Sequence, residues 1–107
     1  MAGALTPTEV ITAWRAGSDI VKVFPCGNVG GPSYIKALKA ALPQIPLLPT
    51  GGVNLRTTGP FFEAGSIAVG VGSELVSAGA MARGDYAGIA AGARAFVQAV
   101  QEARRNA

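Results

Sequence analysis

Asp19-Ile20-Val21-Lys22-Val23-Phe24-Pro25 sets a single lysine inside a stretch that is otherwise apolar. β-Branched and aromatic residues, bounded by Gly17-Ser18 and by Pro25-Cys26-Gly27, predict a short buried parallel strand. Side chains alternate along a strand, so Ile20, Lys22 and Phe24 share one face and Val21 and Val23 the other. Two valines against a helix layer are ordinary. A lysine between Ile20 and Phe24 is not, because an ammonium is costly to desolvate and tends to shed its proton instead. A neutral amine near physiological pH is what imine formation with a carbonyl requires. Two plainer placements compete with that chemistry: Lys22 snorkels to the end of its strand, or it pairs with a carboxylate elsewhere.

Upstream of this stretch, Ala4-Leu5 can be the tail of a strand. Thr6-Pro7-Thr8-Glu9 then reads as a helix start, with Thr6 as N-cap, Pro7 at the first helical position and Glu9 completing a capping box. That cap, rather than catalysis, is the expected use of Glu9. Val10, Ile11, Ala13 and Trp14 give the helix its apolar face, and Gly17 ends it. Downstream, Cys26 to Pro32 forms a loop rich in turn formers. A helix follows with Tyr34, Ile35, Leu38, Ala41 and Leu42 inward and Lys36 and Lys39 solvated, and Pro43 stops it. Ile45 to Gly52 holds the next strand and its exit, although two prolines argue for an edge position. Asn54 caps a further helix that Gly59-Pro60 should bend or break. Ser66 to Ser73 is predicted as another strand, and Glu74 to Arg83 as a segment with a short helix. Asp85 opens a long last helix with Ile89, Phe96, Val97 and Val100 on its apolar side.

Composition narrows the function classes. A chain of 107 residues is the length of one domain, and with 50% apolar and 14% charged residues it can bury a core and is not disordered. No apolar stretch is long enough to span a bilayer, and the first residues lack the pattern of a signal peptide. The formal charge of +3 is scattered except at Arg104-Arg105, and the few aromatics follow no basic stripe, which speaks against nucleic-acid binding. With no His and the single Cys26, no zinc ligand set exists, an internal disulfide is ruled out, and a reducing compartment, the cytoplasm, is expected.

Strands alternating with helices at this spacing mean βα units and a parallel sheet, about four units in one α/β domain over residues 1–107. In such folds chemistry gathers at the carboxyl ends of strands. Those ends here are Lys22, then Thr50-Gly51-Gly52, then Gly70-Val71-Gly72-Ser73. Glycines let backbone N–H groups approach an anion and hydroxyls add donors, so two such exits on consecutive strands suit a phosphate. The alternative is that the glycines serve only tight turns.

The combination of Val21-Lys22-Val23-Phe24-Pro25, Gly30-Gly31, Tyr34-Ile35-Lys36-Ala37-Leu38, Pro49-Thr50-Gly51-Gly52-Val53 and Gly72-Ser73 closely resembles the 2-keto-3-deoxy-6-phosphogluconate (KDPG) and 4-hydroxy-2-oxoglutarate aldolase family, over almost the whole chain. The resemblance implies a trimeric TIM (β/α)8 barrel and a class I, metal-independent lyase that needs no cofactor. It also implies that Lys22 is the Schiff-base lysine and that Phe24 lines the pyruvate pocket. Thr50, Gly51, Gly52, Gly72 and Ser73 would contact the phosphate and hydroxyls of a keto acid or sugar-acid phosphate. The match is to the carboxyl-terminal half of the barrel only. The family's general-base glutamate and carboxylate-binding arginine have no counterpart in these residues, and Glu9 does not match that glutamate. General acid–base help is worth roughly 10²–10⁴-fold, so aldolase activity of this chain alone is expected to be impaired.

Four βα units leave two sheet edges open. The expectation is a homodimer that closes a barrel, a family-like trimer, or a complementary amino-terminal half, with a truncated longer enzyme equally compatible. A phosphate-binding half-barrel without catalysis is the second reading. A thiamine-phosphate-synthase-like barrel ranks last, since it gives Lys22 no purpose.

Overall fold

Three short strands pair in the order β1-β2-β3, all parallel, in the computed structural model, which describes residues 1–106. β1 is Ala2–Ala4, β2 Val21–Val23 and β3 Leu47–Pro49. The register sets Gly3, Lys22 and Leu48 in one row across the sheet. Val21 and Val23 are fully buried, whereas Lys22 is only partly so. One face of the sheet is therefore covered by helices, and the face carrying Lys22 is not.

The helices form where local chemistry favours them. α1 (Pro7–Arg15) opens on a complete capping box: the Glu9 N–H donates to Thr6 Oγ1 at 3.2 Å, and the Thr6 N–H donates to Glu9 Oε1 at 2.9 Å. Gly17, with φ +100, turns the chain out of α1 in a conformation only glycine adopts freely. α2 (Pro32–Ala41) buries Ile35 and Leu38, and Tyr34 Oη donates to the Leu5 carbonyl at 2.6 Å. This bond ties α2 to the segment that leaves β1. The core gathers Val10, Val21, Val23, Ile35, Leu47 and Phe61 between the sheet and the helices.

Several expectations need correction. Ala41 and Val97, placed inward by their spacing, are exposed. Lys39 is not a solvated side chain, because its Nζ donates to the Pro43 and Ile45 carbonyls at 2.9 Å each and so holds the end of α2. Gly59-Pro60 do not break a helix. They lie in the first turn of α3 (Thr58–Glu63), where a missing N–H costs nothing. Asn54 does cap the preceding turn, accepting from the Arg56 and Thr57 N–H groups at 2.9 Å each. The last two helices are α4 (Ala78–Arg83) and α5 (Tyr86–Asn106).

The largest correction concerns Ser66 to Ser73, which does not form a strand. It joins the sheet through one bridge, Thr50 with Gly70, and through the Ile67 and Gly70 N–H groups, which donate to the Leu47 and Pro49 carbonyls at 3.0 and 2.8 Å. In a parallel ladder the N–H and C=O of one residue point to the same neighbour. Pro49 offers its carbonyl to this segment and has no N–H to offer with it, and the two bonds step two residues along β3 but three along the segment, so no regular ladder forms. The four expected βα units thus appear as three strands and a bridged segment.

Candidate functional site

β2 carries Lys22 at its centre and Phe24 at its exit. Lys22 Nζ lies 5.4 Å from the centroid of the Phe24 ring, within cation–π range. The ring itself is 54% exposed. Lys22 and Phe24, with Met1, Gly3, Ala4, Leu5 and Glu9, line an open cavity of about 470 Å³ on the uncovered face of the sheet. Lys22 is thus not enclosed by apolar neighbours as its strand suggested. Nor does it pair with a carboxylate: among the described residues the one ion pair is Arg83 with Asp85, 4.0 Å apart at the surface.

Glu9 lines the same cavity while serving as a cap. Hydrogen bonds from the Thr6 N–H, the Thr6 hydroxyl and the Leu5 N–H hold its carboxyl below the usual carboxylate range. A carboxylate committed in this way is a poor proton acceptor.

Beyond Phe24 lies a second, smaller cavity of about 180 Å³, lined by Phe24, Thr50, Gly51, Gly52, Val53, Gly70, Gly72, Ser73 and Glu74. Six of the residues singled out from sequence, Phe24, Thr50, Gly51, Gly52, Gly72 and Ser73, therefore meet at one place, with Lys22 on the other side of the phenyl ring. Gly51 and Gly52 adopt φ +92 and +74, which L side chains rarely tolerate. The exit of β2 clasps this turn, since the Cys26 and Gly27 N–H groups donate to the Thr50 and Gly51 carbonyls at 2.9 and 3.0 Å. The Gly51 N–H faces the Gly70 carbonyl across the bridge, whereas among the described residues no hydrogen bond engages the N–H of Gly52, Gly72 or Ser73. These are free donors in the loops around the cavity.

Thr50 is placed differently from its neighbours. Its hydroxyl is buried without a partner, against Gly70, where any added Cβ would collide with Oγ1. Ser73, by contrast, is exposed. Cys26, just past the exit of β2, is part of the core. Burial pushes its thiol up to about 11, and Sγ lies 3.6 Å from the Gly31 carbonyl. The sequence reading passed over Glu74 as a wall of the smaller cavity, although it directly follows Ser73 in the same exit loop.

A parallel α/β sheet that turns one lysine toward an open face, beside glycine-rich strand exits, defines a protein of the class that places its site at the carboxyl ends of strands. The family model described as KDPG and KHG aldolase matches residues 1–92, and the chain belongs to that family. It is 40% identical over 100 residues to the 2-dehydro-3-deoxy-6-phosphogalactonate aldolase of Escherichia coli, covering 92% of this chain and 48% of the relative. A 2-dehydro-3-deoxy-phosphogluconate aldolase of Pseudomonas aeruginosa is 29% identical over 104 residues, covering 97% of this chain and 47% of the relative. The chain thus spans about half the length of the curated relatives it matches. Among solved structures, a native KDPGal structure superposes with a TM-score of 0.83 at 39% identity, over 96% of this chain and 48% of the other. A cube-shaped protein cage designed by fusing symmetric oligomeric domains superposes with a TM-score of 0.81 at 36% identity, over 97% of this chain and 37% of the other. No helix among the described residues is long and apolar enough to cross a membrane.

Proposed function

We propose that this chain carries the imine-forming and anion-binding half of a class I aldolase site, one that cleaves 2-keto-3-deoxy-6-phosphogluconate or 4-hydroxy-2-oxoglutarate to pyruvate and an aldehyde. One observation carries the reading: Lys22 and the glycine-rich exits open into adjoining cavities with Phe24 as their common wall. A keto acid can place its carbonyl against the amine while its far end reaches the free N–H groups of the glycine turns. The unprotonated Nζ adds to the keto carbon, water leaves, and the iminium takes up the electron pair of the adjacent C–C bond as it breaks. The aldehyde forms when the neighbouring hydroxyl gives up its proton.

That proton needs an acceptor, and Glu9, the carboxylate on the Lys22 cavity, is tied into its capping box. This favours a second reading, a phosphate-binding half of a TIM (β/α)8 barrel that does no catalysis by itself. Both readings leave the outer edge of β1 and the far side of residues 66–73 open. A second copy or a complementary amino-terminal half would close them, in the reducing cytoplasm that a single buried thiol suits. A stable, folded monomer in light scattering at micromolar concentration would refute closure by a second copy.

Borohydride reduction in the presence of pyruvate separates the two readings. A stable adduct on Lys22, absent in Lys22→Ala, supports the aldolase site. No adduct removes the imine mechanism and leaves the binding module.

A further inference from the structure

No lysine or arginine lines the smaller cavity. Of its nine lining residues only one ionises, and that one is acidic, Glu74. Glu74 is exposed and outside any helix or strand, and among the described residues no hydrogen bond or ion pair engages its carboxylate. It also forms part of a neighbouring cavity of about 290 Å³ that includes Arg56, yet the two side chains are not joined as an ion pair. A site whose donors are neutral N–H groups and a hydroxyl, with an unneutralised carboxylate in its wall, has a charge preference of its own.

We propose that Glu74 is a specificity-determining residue of this cavity. It acts as a charge filter that weakens binding of a dianionic phosphate relative to a singly charged or neutral terminal group. The inference rests on the proposed reading of the cavity as the place where the far end of the substrate sits. It bears on the choice between phosphorylated and unphosphorylated keto acids, which the glycine turns do not make: backbone N–H groups can donate to a hydroxyl, a carboxylate or a phosphate, whereas repulsion from a carboxylate in the wall grows with the charge of the guest. At a few ångströms in a wet cavity, such a repulsion changes affinity several-fold per unit charge and is screened by salt.

The test is a titration with inorganic phosphate, followed by the ³¹P resonance, on the full chain and on Glu74→Gln, Glu74→Lys and Ser73→Ala, each checked for an unchanged circular dichroism spectrum. Glu74→Gln should bind phosphate about three- to ten-fold more tightly at low ionic strength. Glu74→Lys should gain more, Ser73→Ala should lose affinity, and both gains should shrink as salt is raised. If both Glu74 variants bind phosphate no better than the parent while Ser73→Ala binds more weakly, the filter is overturned and the anion cradle stands. If none of the four proteins binds phosphate, the cradle falls and the filter with it.

Discussion

Tyr34→Phe isolates the bond that holds the wall of the Lys22 cavity. Tyr34 Oη donates to the Leu5 carbonyl at 2.6 Å across a separation of 29 residues, in a partly buried setting. Leu5 lines the Lys22 cavity, and its N–H is held in turn by Glu9. Removing the hydroxyl keeps the ring and its packing, so the cost is the hydrogen bond and the Leu5 carbonyl left half-buried without its donor. Such a loss is worth about 1 kcal/mol. For a domain of roughly 100 residues that lowers Tm by about 4–8 °C. Thermal unfolding followed by circular dichroism reads this directly. Tyr86→Phe is the control, because Tyr86 is 67% exposed and its hydroxyl makes no hydrogen bond among the described residues. The same loosening should slow borohydride trapping of pyruvate on Lys22. If Tyr34→Phe costs no more than an exposed substitution, about 0.5 kcal/mol or less, the bond does not hold the wall and the argument fails.

Two further outcomes follow from the titratable groups. Hydrogen bonds hold the folded-state pKa of Glu9 below that of the unfolded chain, so its contribution to stability is present above the unfolded value and is lost as pH falls through the folded pKa. Glu9→Gln should therefore flatten the acid side of the stability profile and leave its slope near neutral pH unchanged, as chemical denaturation at a series of pH values would show. Burial raises the Cys26 thiol to about 11, so at pH 8 a disulfide reagent should label it only as fast as the chain unfolds, and immediate labelling of the native protein would contradict its burial.

Local signals proved the most legible in the sequence. Thr6-Pro7-Thr8-Glu9 starts a helix through contacts that span three residues, and the structure contains each of them. The alternation around Lys22 was equally readable, since Val21 and Val23 turn to the core and Lys22 turns away. Whatever depends on a neighbour in space was harder to read. Ser66 to Ser73 has the composition of a strand, but whether it pairs depends on β3, where Pro49, 21 positions before Gly70, lacks an N–H and the register slips by one residue. Lys39 looked solvated because nothing local shows that two loop carbonyls lie within its reach. The convergence of Thr50-Gly51-Gly52 and Gly72-Ser73 could be inferred from their positions at strand exits. The burial of the Thr50 hydroxyl against Gly70 could not.

The exposure of Lys22 and the open sheet edges share a physical origin. The row Gly3, Lys22, Leu48 faces away from the helices and is only partly covered, with Gly3 exposed and Lys22 half-buried. Phe24, whose ring lies over the amine, is itself 54% exposed and shields the amine from one side only. An amine in such a place keeps much of its hydration, and a keto acid must displace that water before its carbonyl can reach Nζ. Strands added at β1 and beyond residue 70 would curve the sheet around that face, remove water from Lys22 and Phe24 together, and turn the open cavity into an enclosed one. The edge that must be satisfied for folding and the amine that must be dried for chemistry then make the same demand, so dehydration of Lys22 and pairing of the open edges should occur in one step. Imine trapping that rises with protein concentration, in parallel with assembly, would be the signature of that coupling.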